Sequence, residues 1–88
     1  MIVELGEKEI IVRRISTHID ARDVIEIINN TLERKDIKMI YNFEGSPGPL
    51  GEGIVIKIKL SKKLSNVDIS VLRKIFELKG IPVKVNPA

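Results

Sequence analysis

Ser16, Thr17 and His18 stand just ahead of Asp20 and Asp23, so a hydroxyl, an imidazole and carboxylates share one short stretch. That grouping is the raw material of nucleophilic catalysis, in which a base takes the hydroxyl proton and a carboxylate orients the base. The spacing argues instead for a structural role. Consecutive residues at a strand end point in different directions, and Asp20 with Asp23 is needed to satisfy the free amides that open a helix. Ser61-Lys62-Lys63 holds the same place in a second copy of the surrounding pattern and lacks the histidine. No catalytic residue is assigned, and the chain is expected not to be an enzyme.

Composition argues against a thiolate or zinc centre. There is no cysteine and His18 is the single histidine, so neither a thiolate site nor a multi-histidine zinc centre can be built. No metal and no other cofactor is expected. The remaining candidates are cations: Arg14, Lys57, Lys59, Lys62 and Lys63. On one surface they would suit a nucleic-acid backbone, where each neutralised phosphate releases counterions, or a protein partner. The net charge of +3 gives only a weak field. Single-stranded RNA readers stack bases on aromatic rings of the central strands. Residues 10–15 and 54–60 contain no such ring. Base-specific recognition is not expected, and sequence-independent DNA or RNA binding stands as the alternative reading.

The segment Gly45-Ser46-Pro47-Gly48-Pro49-Leu50-Gly51-Glu52-Gly53 is a chain breaker with glycines that permit close backbone approach. It is no phosphate loop: no Gly-Lys-Ser/Thr follows, and Glu44 and Glu52 flank it with like charge. Gly48-Pro49-Leu50-Gly51 has the spacing of the KH-domain backbone clamp, but here it falls between strands rather than helices. It reads as a structural or partner-contact hairpin loop, with Pro47, Pro49 and Leu50 as the docking residues in the second case.

Periodicity defines the elements that must position these residues. Residues 10–15 are β-branched and strand-like. Ala21, Val24, Ile25, Ile28 and Leu32 recur at helical spacing over 20–34, with Asp20 as the expected N-cap and Ile19 against Val24 as its hydrophobic staple. Ile37, Met39, Tyr41 and Phe43 alternate inward, and Ile54, Ile56, Ile58 and Leu60 do so again. Ser65 with Asp68 marks a second cap, Leu64 with Ile69 a second staple, and Ile69, Leu72, Ile75 and Phe76 the second apolar stripe. Gly80 and Pro82 stop that helix, and Ile81, Val83 and Val85 suggest a last strand.

The two halves echo one another. Gly6-Glu7 falls on Gly51-Glu52, Ile10 on Val55, Ile11 on Ile56, Ser16 on Ser61 and Asp23 on Asp68. Two βαβ halves with right-handed crossovers interlock as an α+β, ferredoxin-like two-layer sandwich, βαββαβ, with an antiparallel sheet and both helices on one face. The last strand should then lie beside the first, which leaves residues 2–5 without an obvious neighbour. Arg13 would also point at the helices, a conflict that a bulge near it relieves. On this alignment the open face carries Ile10, Val12 and Arg14, then Val55, Lys57 and Lys59, with Lys38, Ile40 and Lys84 beside them.

At 88 residues the chain is expected to be a single domain over 1–88. No stretch is apolar enough for a bilayer span and no leader pattern opens the sequence, so a cytoplasmic protein that does not engage a membrane is expected. Abundant Ile, Lys and Glu without Cys or Gln lean toward a thermophile, archaeal or bacterial, although an AT-rich genome gives the same Ile and Lys bias. The functional expectation is a small binding module, an accessory subunit or homodimer.

Overall fold

Alternating apolar residues and two helical stripes fold into the elements they encode. The computed structural model describes residues 1–46 and 53–86. They form β1 (Ile2–Leu5), β2 (Glu9–Ile15), α1 (His18–Leu32), a short 3-10 turn (Glu33–Lys35), β3 (Met39–Ser46), β4 (Gly53–Leu60), α2 (Asn66–Leu78) and β5 (Val83–Val85). The sheet order is β3-β4-β2-β1-β5, antiparallel except for β1 with β5. This is an α+β two-layer sandwich of the ferredoxin-like type, enlarged by one strand. Val3, Leu5, Ile10, Val12, Ile15, Ile56 and Ile58 of the sheet are buried with Val24, Ile28 and Leu32 of α1 and Leu72 and Phe76 of α2. Each such side chain contributes roughly 1.5–3 kcal/mol through its burial.

β1 takes the place expected of the last strand. Its hairpin with β2 sets Val3 opposite Val12 and Leu5 opposite Ile10, while β5 pairs on its far side. The connection is local: the Gly6 amide donates to the Glu9 carbonyl at 2.9 Å. A hairpin between adjacent segments forms without the loop-closure cost of pairing β2 with a strand from the chain's other end.

A bulge divides β2. Val12 lies opposite Ile56 but Ile15 lies opposite Ile54, so three residues of β2 span what two span on β4. Arg14 is the extra residue, in the left-handed region at φ 58°. The expected bulge near Arg13 is present, and Arg13 is turned away from the helices. The same insertion overturns the expected open-face positions of Ile10 and Val12, both fully buried. Ile15 corresponds to Leu60, as the echo implies, but ahead of the bulge the correspondence slips by one residue. Val12 matches Ile58 and Ile10 matches Ile56. With a side-chain period of two, a one-residue slip exchanges the faces, and Ile11 becomes the outward residue.

The caps differ as well. Thr17, not Asp20, is the N-cap of α1, its hydroxyl accepting from the Asp20 amide at 3.1 Å. The helix starts nearly a turn early, and Ile19 is 64% exposed rather than part of a staple. α2 follows expectation: Ser65 and Asp68 form a reciprocal capping box and Leu64 is buried. Gly80, at φ 76°, ends it, with the Ile81 amide donating to Phe76 and the Gly80 amide to Glu77, the Schellman pattern. Ser61 has the structural role expected of it: its hydroxyl accepts from the Lys38 amide and its own amide donates to the Lys38 carbonyl, both at 2.9 Å.

Candidate interaction face

The sheet face away from the helices follows from the corrected register. Outward are Ile2 and Glu4 on β1, Glu9, Ile11 and Arg13 on β2, Val55, Lys57 and Lys59 on β4, Ile40, Asn42 and Glu44 on β3, and Lys84 on β5. Each cation has a carboxylate beside it. Arg13 donates to Glu4, and the Lys57 ammonium lies 3.3 Å from Glu44. Glu9 stands directly opposite Lys59, and Glu4 directly opposite Lys84. The hydrogen bond from Arg13 holds the Glu4 carboxyl below its ordinary value against the opposing effect of burial, with Asn86 and Lys84 adding to it. Half-buried Ile2, Ile11 and Val55 fill the spaces between the charges, and Ile40 is 65% exposed.

The sequence-derived cations are therefore spread over the molecule. Lys57 and Lys59 sit on the open face. Lys62 and Lys63, in the turn after β4, reach 3.6 Å from Asp36 and 3.7 Å from Glu7. Arg14 is at the far end of the sheet, where the bulge meets Gly53. That end lies away from Lys62 by the length of β4, on the order of 25 Å at about 3.3 Å per residue. Pro47, Pro49 and Leu50 lie outside the described residues. Glu9 and Arg13 were missed as members of the face because the register ahead of the bulge was displaced, and Glu4 because its strand had no expected neighbour.

Glycine shapes the Arg14 end. Gly53, at φ 85°, lies against the bulge, so that a Cβ there would sit 3.2 Å from the Arg14 Cα. Gly45, at φ 82°, has its missing Cβ aimed at the Gly53 carbonyl. Three strands are thus drawn together by backbone contact. On the helix side of β3, Tyr41 is half-buried as expected. Phe43 shares its side but is 58% exposed, correcting the expectation that it faces the core. It sits toward the far end of an edge strand.

Nothing resembling a catalytic arrangement is formed by Ser16, His18 and Asp20: the first two are exposed, and no hydrogen bond joins their side chains among the described residues. No cluster of three or more His, Cys, Asp or Glu side chains is placed to hold a metal among those residues. Nor is any helix among them long and apolar enough to cross a membrane. No family model matches the chain, and no curated protein and no solved structure is significantly similar to it.

Proposed function

We propose that the chain is a small non-enzymatic protein-interaction module of the cytoplasm, an accessory or self-associating subunit that docks through the open side and margin of its sheet. The observation that carries this reading is the interleaving of charges on that face. A phosphate backbone laid across it would meet Glu4, Glu9 and Glu44 together with the cations, and repulsion would offset much of the counterion-release gain. A protein surface with its own mixed charges can match both signs while covering Ile2, Ile11, Ile40 and Val55.

Affinity capture from the source organism tests the reading when paired with a face variant. The tagged chain is expected to retain a defined protein, or itself, and Ile11→Asp, which leaves the buried face intact, is expected to lose an open-face partner. Fluorescence anisotropy against duplex DNA and single-stranded RNA at low salt is expected to show no complex. Binding that falls steeply with salt and is lost in Lys57→Glu or Lys59→Glu would replace this reading with nucleic-acid recognition.

A further inference from the structure

β3 ends the sheet, with β4 on one side and no strand on the other among the described residues. The Ser61 amide donates to the Lys38 carbonyl at 2.9 Å, whereas the Leu60 amide turns the opposite way, to Lys8, also at 2.9 Å. The alternation of an antiparallel ladder then directs the main-chain groups of Lys38, Ile40, Asn42 and Glu44 at β4 and leaves those of Met39, Tyr41 and Phe43 facing outward. Natural sheets guard such edges with prolines, bulges, short strands or inward-pointing charges. From Met39 to Phe43 this strand has none of them. Its apolar side chains are uncovered as well, Phe43 by 58% and Ile40 by 65%.

We propose that this edge pairs antiparallel with β3 of a second copy of the chain about a two-fold axis at Tyr41, which joins two sheets into one. The inference rests on the interaction-module reading and names its partner. Charge fixes the register. With the axis at Tyr41, Lys38 faces the partner's Glu44, and the same contact recurs by symmetry. Met39 faces the partner's Phe43, so a thioether covers the exposed ring, and Tyr41 faces the partner's Tyr41. Side chains must stay on their own faces, so the nearest alternatives shift the axis by one residue. An axis at Asn42 sets Ile40 against the partner's Glu44 and Met39 against the partner's Gly45. An axis at Ile40 sets Asp36 against the partner's Glu44, like against like.

Sedimentation equilibrium and light scattering on the intact chain test the proposal. The wild type is expected to dimerise. Lys38→Glu and Glu44→Lys should each weaken the dimer about ten-fold, because each sets like charges face to face at two symmetric places. An equimolar mixture of the two variants should recover wild-type association, since every reversed charge then meets its opposite. Tyr41→Pro removes an outward amide without taking a bond from β4, so it should give a monomer with an unchanged circular dichroism spectrum. A wild type that stays monomeric at the highest attainable concentration, a dimer indifferent to Tyr41→Pro, or variants that fail to complement would each overturn the proposal. A monomer that still captures another protein in an Ile11-dependent manner overturns the dimer and leaves the broader reading standing. A monomer without such capture overturns both.

Discussion

Asp68 is expected to be worth far more to the fold than Asp20, although both sit near a helix start. At α2 the Ser65 hydroxyl accepts from the Asp68 amide at 3.1 Å, and an Asp68 carboxylate oxygen accepts from the Ser65 amide at 3.2 Å. The other carboxylate oxygen lies 3.4 Å from the Lys35 ammonium, and the residue is only 8% exposed. At α1 the Thr17 hydroxyl accepts from Asp20, but no return bond from the Asp20 carboxylate is formed among the described residues. Asp68→Ala removes a charge-assisted hydrogen bond of about 1.5–2 kcal/mol and a largely solvated ion pair of at most about 0.5 kcal/mol. Asp20→Ala removes only a carboxylate near the positive end of a helix dipole, about 0.5 kcal/mol. With a urea m-value of about 1 kcal/mol/M, the midpoints should fall by roughly 2 M and 0.5 M. Burial works to raise the Asp68 carboxyl, but hydrogen bonds from Ser65 and the Lys35 charge outweigh it and leave it below its ordinary value. A depressed carboxyl stabilises the fold above its unfolded-state value, and that contribution is lost as pH falls through the folded-state value. The difference between wild type and Asp68→Ala should therefore shrink in acid. Equal costs at Asp20 and Asp68, or a difference that persists undiminished at about pH 2, would refute this account.

The remaining predictions concern the bulge. Gly45→Ala should cost about 2–4 kcal/mol in urea unfolding, because it combines a left-handed backbone with a collision at the Gly53 carbonyl. Arg14→Gly relieves about 1 kcal/mol of left-handed strain and adds a similar unfolded-state entropy, so its midpoint should stay put or rise slightly; a large loss would mean that the Arg14 side chain holds the bulge. Val12→Thr buries a hydroxyl and should cost about 1–3 kcal/mol, while Ile11→Thr on the open face should cost less than about 1 kcal/mol. Equal costs at the two positions would contradict the register.

Most of the layered architecture was legible because its signals are local. Alternation at Ile54, Ile56, Ile58 and Leu60 has one solution as a half-buried strand, and Ser65 with Asp68 ahead of an apolar stripe has one solution as a capped helix. The face of β2 was not legible, because Ile10, Ile11 and Val12 are all apolar and periodicity cannot say which of three neighbours points inward. The conflict at Arg13 signalled a bulge, and placing it one residue later, at Arg14, would have exchanged Ile11 for Ile10 and Val12 and brought Glu9 and Arg13 onto the face. Asp20 misled for a different reason. Thr17 and Asp20 are both acceptable caps, and the first was chosen because strand β2 ends at Ile15, close enough for the helix to begin at His18.

The insertion of β1 also decides which backbone the molecule leaves for others to use. By occupying the flank of β2, the hairpin moves β5 outward, where it forms an edge of only 3 residues. Pro82 precedes that edge, and outward-facing Lys84 sits at its middle. β3, at the opposite margin, runs for 8 residues, and its stretch from Met39 to Phe43 carries neither a proline nor a charge. Strand-to-strand association is therefore directed to one side of the sheet. A pair of chains closed about Tyr41 consumes both β3 edges and presents only the two short β5 edges at its ends, which offer too little ladder to recruit a further strand. Such a contact would be isologous, so growth would stop at two copies instead of continuing into a filament.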